Sequence, residues 1–272
     1  MVVRHLGQTD FTTIMVCFLS AFENYFVKMP TDHDYYKQRW KAAKVDFNLS
    51  YGMFDGDQLV GFIINAIDDR HGDKVAYNTG TGVIPEYRGK KIVKSIYDHA
   101  IPDLKSNGIT KCSLEVIVEN DKAVKAYKRI GFEICKTFNC FAGELSASDS
   151  PVQIKEIPFE SIAWERMPNQ DTYSWDFHYK SLKDGNSKFY NVLNDSKIES
   201  FFSIKPDGTI NQLEVFNTEK RQWERLLSAV QSIFEHVRVI NVDNRLTAKR
   251  AALEHAGLKN TVNQYEMELR VK

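Results

Sequence analysis

The chain has 272 residues, 43% hydrophobic and 26% charged, enough for one large or two average domains with a sizeable core. Its 36 basic and 36 acidic residues cancel, which argues against a general nucleic-acid or membrane-surface binder and leaves only local patches of charge. Cys17, Cys112, Cys135 and Cys140 show no CxxC spacing, so buried, reduced thiols are expected, in a cytoplasmic protein. No apolar stretch approaches the length that spans a bilayer. The run FTTIMVCFLSAF, preceded by Asp10 and lacking a small-residue cleavage site nearby, reads as a helix of the mature fold rather than a signal-peptide core.

MVVRHL opens as a short strand, and Thr9 or Asp10 can cap a helix running from Phe11 towards Phe26. Phe11, Ile14, Met15, Phe18, Phe22 and Phe26 form one stripe at helical spacing. The next run, NYFVKMPTDHDYYKQRW, sets Tyr25, Phe26, Met29, Pro30, Tyr35, Tyr36 and Trp40 among polar residues around a proline break. That composition suits the wall of a cleft, and equally suits packing against a neighbouring domain. Asp55-Gly56-Asp57 between apolar runs marks a hairpin, and Val60 to Ala66 is apolar enough for a central strand. After a turn at Arg70 to Lys74, a further strand ends at Val83-Ile84-Pro85, where proline stops the ladder.

The stretch TGTGVIPEYRGKKIVKSIYDHA, Thr79 to Ala100, reads as strand, turn and helix N-terminus. Amides left unpaired at a helix start, with the positive end of the helix dipole, make an anion site. Arg88, Lys90 and Lys91 add charge there, and Gly89 permits close approach or a positive φ. A diphosphate is the expected guest; the other reading is an ordinary turn with solvated lysines. The helix runs from Ile92 to Ser106 and stops at Asn107-Gly108. KCSLEVIV, Lys111 to Val118, then reads as a buried strand. Asn120 or Asp121 caps a helix carrying Ala123, Val124, Ala126, Tyr127 and Ile130 before Gly131 ends it.

These two segments resemble those of the GNAT superfamily, the acyl-CoA-dependent N-acyltransferases. In that family a V-x-P strand end precedes [Q/R]-x-x-G-x-[G/A], matched here by Arg88 to Val93, with Lys91 and Val93 standing where the family has small residues. The string N-x-x-A-x-x-A-Y-x-x-x-G-F matches from Asn120 to Phe132. The resemblance implies coenzyme A held by Val83, Ile84, Arg88, Gly89, Lys90, Lys91, Ile92, Val93, Lys94, Asn120 and Tyr127. It implies that Tyr127 lies near the cofactor sulfur and protonates the departing thiolate, and that Tyr25, Phe26, Met29 and Tyr36 face the acceptor. A thioester is already activated, so direct transfer needs orientation, a carbonyl-polarising donor and proton paths, and no covalent enzyme nucleophile. Glu115 and Glu23 are candidate bases, with a water chain as the other route. The seven histidines show no metal-ligand spacing with the cysteines, so no metal is expected.

Beyond Phe141, AGELSASDSP reads as a loop or linker. The remaining sequence looks like a worn copy of the first half: three strand-like runs from Phe189 to Phe216 with an Asp207-Gly208 hairpin, a helix near Arg221 to Phe234, and the strand VRVINV. Asn244 then leads a helical run in parallel with Asn120, and NQYEMELRV closes as a strand. Leu253 stands four residues before Gly257, as Tyr127 stands four before Gly131, and the run after Phe216 has no Arg-Gly turn. The expectation is an α+β chain of two GNAT-like domains, each a mixed, mostly antiparallel central sheet flanked by helices. Residues 1–146 would be catalytic and 147–272 degenerate. The expected activity moves an acetyl or small acyl group from acetyl-CoA to a primary amine of a small molecule or peptide; the alternative is a non-catalytic acyl-CoA-binding or regulatory protein. A monomer or homodimer without nucleic-acid or membrane partners is expected.

Overall fold

The computed structural model describes residues 1–146, 152–217 and 220–271. Two compact units are present: Met1–Val116 with Asn120–Cys135 and Glu266–Lys272, and Ile117–Glu119 with Lys136–Tyr265.

In the first unit the chain runs β1 (Val2–His5), α1 (Phe11–Ala21), α2 (His33–Ala43), β2 (Tyr51–Asp55), β3 (Gln58–Arg70), β4 (Asp73–Val83), α3 (Ile92–Ser106), β5 (Lys111–Ile117), α4 (Asp121–Ile130) and the start of β6 (Glu133–Glu144). Strands β1 to β4 pair antiparallel in chain order, and β4 pairs parallel with β5. Asp10 caps α1 by accepting from the Thr13 N–H at 2.9 Å. The helix stops at Ala21, short of the expected Phe26: the apolar stripe gives way to Glu23-Asn24, and the Tyr25 N–H turns back to the Phe22 carbonyl. Phe18 stacks on Phe62 of β3 with centroids 5.6 Å apart, and meets Tyr36 and Trp40 of α2 at 4.9 and 5.6 Å. Beneath this helix β4 carries glycine. A Cβ on Gly82 would lie 2.7 Å from that of Ala21, so only glycine lets α1 sit so close to the strand.

The second unit holds β7 (Gln153–Ile157), α5 (Tyr179–Leu182), β8 (Lys188–Asn194), β9 (Lys197–Ile204), β10 (Thr209–Val215), α6 (Lys220–Gln231), β11 (His236–Asp243), α7 (Thr247–His255) and most of β12 (Lys259–Arg270). Strands β7 to β10 pair antiparallel in chain order, and β10 pairs parallel with β11. This is the order of β1 to β5 repeated, as the sequence suggested. In chain order the place of α1 and α2 is taken by short 3-10 turns around Trp164 and Trp175 and by α5.

The units do not divide at residue 146. Strand β6 leaves the first unit after Cys135 and pairs antiparallel with β11 in the second. Ala142 to Glu144, at the head of the expected linker, are therefore strand residues; 147–151 lie outside the described residues. Conversely, the end of β12 belongs to the first unit. There the Val271 N–H donates to the Thr110 carbonyl at 3.0 Å, Lys111 pairs with Glu268 at 2.7 Å, and Arg270 pairs with Asp73 at 2.6 Å. Each unit is completed by a strand segment that linear order assigns to the other half.

Candidate active site

The pairing of β4 with β5 runs from Val75–Lys111 to Asn78–Leu114 and goes no further, although β4 continues to Val83. The break coincides with a shift in the β3–β4 register. Ile64 faces Gly80 and Asn65 faces Asn78, leaving Thr79 as an extra residue. Such a bulge bends its strand and frees backbone groups from the ladder. Past it, among the described residues, β4 has no further pairing with β5, which leaves an unpaired interval, the gap, between the two strands beyond Asn78 and Leu114.

Asn78 holds the bulge. Its Oδ1 accepts from the Gly80 N–H at 3.0 Å, while its Nδ2 donates to the Tyr97 hydroxyl at 2.6 Å and to Thr81 Oγ1 at 2.5 Å. The Tyr127 hydroxyl hydrogen-bonds Thr81, and burial pushes the Tyr127 pKa up to about 12. Its ring sits edge-on to Tyr97 and Phe132 at 6.4 and 5.8 Å. Asn120 caps α4 by accepting from the Ala123 N–H at 3.3 Å, and its side chain also meets the hydroxyl of Tyr25, whose pKa is raised by burial. Glu115 lies on β5 one residue beyond the last β4–β5 pair, with Oε1 shielded from solvent. The sequence singles out Tyr25, Asn120, Tyr127 and Glu115 as site candidates; Asn78, Thr79, Thr81 and Tyr97, which the structure brings to the bulge, are not among them. The TGTG run gives no sign of a bulge, because its effect depends on the register of β3.

The same gap is bounded at the other end by the turn from Arg88 to Lys91. Gly89 has φ +79° and open space where a Cβ would project. Lys91, the departure from the small-residue pattern, adopts φ 57° and caps α3 without any side-chain hydrogen bond to its amides. A lysine thus takes the left-handed conformation that glycine favours, at a cost of about 1 kcal/mol. The first amides of α3, from Ile92 to Lys94, have no intrahelical acceptor, and no acidic residue stands in that turn. The geometry suits an anion. The cations are less committed to it than the sequence suggested: Lys94 pairs with Asp98 at 2.6 Å, and Lys90 Nζ lies 4.2 Å from the Tyr87 ring centroid. Val83 ends the strand, Ile84 follows it buried at the start of a short 3-10 turn, and Ile92 packs inward.

The aromatic run is separated by the fold. Phe26 is exposed and Met29 half-buried, whereas Tyr36 is only 1% exposed. Packed on Phe18 and Trp40, Tyr36 is a core residue of α2 rather than part of a surface wall with Phe26, because helical spacing puts Tyr36 and Trp40 on one inward face.

In the second unit the β10–β11 pairing ends at Ile210–Val239, and Asn211 is the extra residue of a corresponding bulge. The counterpart of Asn120 at the helix cap is Leu246, not Asn244, and Leu253 is buried. Here the chain fills its own gap. Lys249 Nζ bonds Glu214 Oε1 at 2.6 Å and the Tyr173 hydroxyl at 3.2 Å, and Tyr173 donates to Glu214. A cavity of about 10 Å³ is left beside Asn211, Asn241 and Lys249, room for roughly one water.

Among the described residues Cys135, Glu266 and Glu268 bring ligand-type atoms within 4.8 Å of one another. The thiol lies 3.4 Å from the Glu266 carbonyl oxygen, and Glu268 is paired with Lys111. Cys17, Cys112 and Cys140 are buried free thiols; Cys135 is exposed, contrary to the expectation for the set.

The site thus combines a parallel strand pair whose pairing stops at a bulge, a helix start whose first amides suit an anion, and a buried tyrosine hydroxyl. Residues 15–132 match the acetyltransferase (GNAT) family model. Over 103 residues the chain is 26% identical to N-alpha-acetyltransferase 30 of Schizosaccharomyces pombe, covering 38% of this chain and 67% of that protein. Over 84 residues it is 30% identical to mycothiol acetyltransferase of Corynebacterium efficiens, covering 31% of this chain and 27% of that one. The whole chain superposes on a tandem GNAT protein from the clavulanic acid biosynthesis pathway with TM-score 0.70 and 11% identity, covering 98% of it. Residues 15–132 thus match the GNAT family model, and the likeness to the tandem protein over the whole chain is a likeness of fold.

Proposed function

We propose that the first unit transfers an acetyl or similarly small acyl group from acetyl-CoA to a primary amine of a small molecule or peptide. The observation that carries this reading is the β4–β5 gap opened at Thr79, with the α3 amides at one end and Asn120 and Tyr127 at the other. Coenzyme A supplies an acyl group already activated as a thioester. The amides of Ile92, Val93 and Lys94 suit its diphosphate, and Gly89 lets the backbone approach it. The unpaired edge of β4 up to Val83 offers donors and acceptors to the amide-bearing arm, as a sheet edge does to an added strand. Backbone groups freed at the bulge are placed to polarise the acyl carbonyl. Tyr127, kept neutral by burial, can donate a proton to the leaving thiolate.

Glu115, just beyond the last β4–β5 pair, is the candidate acceptor of the amine proton, and Tyr25, Phe26 and Met29 lie on the acceptor side. Both named relatives are acetyltransferases, which supports the acyl class and leaves peptide and small-molecule acceptors to be separated by assay. No helix among the described residues is long and apolar enough to cross a membrane.

The test is titration calorimetry with acetyl-CoA, followed by free-thiol release with small amines and peptides bearing free N-termini. Saturable binding and amine-dependent thiol release are expected. Absence of binding would remove the cofactor site, and binding without release to any amine would leave an acyl-CoA-binding protein.

A further inference from the structure

The arginine of the phosphate turn is exposed, yet its guanidinium is not left without partners above the helix amides. Arg88 folds back, donating from Nη2 to the carbonyl oxygen of Ala21 at 3.0 Å and from Nε to that of Val83 at 3.2 Å. Ala21 is the last residue of α1, so its carbonyl is one of the four that a helix leaves without an intrahelical donor. It also stands at the negative end of the helix dipole, where a cation is favoured. α1 has no basic residue of its own in its last turn. Arg88, 67 residues away in sequence, supplies that charge. Close packing makes this possible, since Gly82 allows Ala21 to approach β4 just before Val83.

What leaves α1 at this point is the segment Phe22 to Asp32, which carries Tyr25, Phe26 and Met29. Its first residues are fastened at two places. Arg88 holds the helix end from the phosphate turn, and Asn120 at the cap of α4 holds the Tyr25 hydroxyl. Both fastening groups come from segments that form the proposed cofactor gap, and both reach across to the acceptor side.

We propose that Arg88 is a positioning residue for the acceptor loop: its guanidinium caps α1 and sets the rim from which Tyr25 and Phe26 face the gap, while the backbone amides of α3 bind the diphosphate without it. A charge-assisted bond to a carbonyl is directional. Removing it frees the helix end locally and leaves the α3 amides in place. Lysine can renew the charge and one bond but not both, because it lacks the planar fork. The inference rests on the acyl-CoA reading of the site for its kinetic arm only.

Arg88→Ala and Arg88→Lys in the full chain test it. Hydrogen exchange of the free protein is expected to quicken about tenfold at the amides of residues 22–26 in Arg88→Ala, with partial recovery in Arg88→Lys and no change in the amides of α3. Acetyl-CoA affinity by calorimetry is expected to stay within threefold of the parent. With an amine found by the thiol-release screen, the acceptor KM should rise at least fivefold and the acetyl-CoA KM less than threefold. A tenfold loss of acetyl-CoA affinity in Arg88→Ala overturns the proposal and makes Arg88 a diphosphate ligand, and unchanged exchange at residues 22–26 overturns it equally. Failure of the parent chain to bind acetyl-CoA would sink the acyltransferase reading while leaving the exchange result to judge the helix cap. If Arg88→Ala does not fold, Arg88→Lys carries the same readings, graded between parent and loss.

Discussion

Replacing Tyr127 by phenylalanine isolates one hydroxyl. The ring is fixed edge-on between Tyr97 and Phe132 and should keep that packing. The bond to Thr81 is lost, but Thr81 Oγ1 still accepts from Asn78, so the stability cost should be about 1 kcal/mol. The cost to the reaction should be larger. A positioned general acid is worth about 10²- to 10⁴-fold, and water can replace part of it, so turnover should fall roughly 10- to 1,000-fold, or about 1.4 to 4 kcal/mol in activation free energy. Acetyl-CoA affinity should scarcely change, since a proton donor to the leaving thiolate acts in the transition state. Because burial raises the Tyr127 pKa to about 12, the parent should show no loss of rate from its ionisation below about pH 10. The assay is single-turnover thiol release at saturating acetyl-CoA and amine, with stability followed by urea denaturation. Full single-turnover rate in Tyr127→Phe would refute the acid role and leave Tyr127 as a packing residue. The converse change, Leu253→Tyr, should create no second activity, since Lys249, Glu214 and Tyr173 already fill that gap.

Gly89→Val should weaken acetyl-CoA binding at least tenfold in calorimetry, because φ +79° strains a β-branched residue and its side chain would project towards the ligand. Phe18→Ala should cost about 3 to 5 kcal/mol in chemical denaturation, since its ring joins α1, α2 and β3. Truncation after Tyr265 removes Glu268, Arg270 and the Val271 amide from the first unit; hydrogen exchange should show lost protection at Thr110 to Leu114, and unchanged protection would show that this strand end is dispensable. Stability should fall in alkali. Burial raises Cys17 and Cys112 from 9.0, and Tyr36 and Tyr127 from 10.0, each to about 12. The folded chain therefore keeps these protons when the unfolded chain releases them; the stabilisation is complete below about pH 9 and lost as pH rises towards 12. Thermal melts from pH 7 to 11 check the sign.

Local chemistry made part of this protein legible without coordinates. A helix cap at Thr9 or Asp10, the Asp55-Gly56-Asp57 hairpin, the span Ile92 to Ser106, and a helix capped by Asn120 or Asp121 and ended by Gly131 each depend on residues close in sequence, and the structure has them, choosing Asp10 and Asn120 as the caps. The repeat of strand order in the second half was readable for the same reason, because hydrophobic periodicity and turn residues recur in the same order. Long-range geometry was not readable. Thr79 becomes the opening of the gap only through its register against Ile64 and Asn65. Tyr36 leaves the surface because Phe18 and Trp40 fold over it. Leu246 rather than Asn244 caps α7 because Asn244 and Arg245 form a turn, closed by the Leu246 N–H donating to the Asp243 carbonyl at 3.0 Å, before the helix begins. The strand segments that complete each unit come from the other half of the chain, and a cut at 146 followed composition, which records local turn chemistry but not strand partners. Sequence patterns report what a residue does to its neighbours along the chain, whereas bulges, burial and strand exchange depend on partners tens to more than a hundred residues away, chosen by the packing of the whole fold.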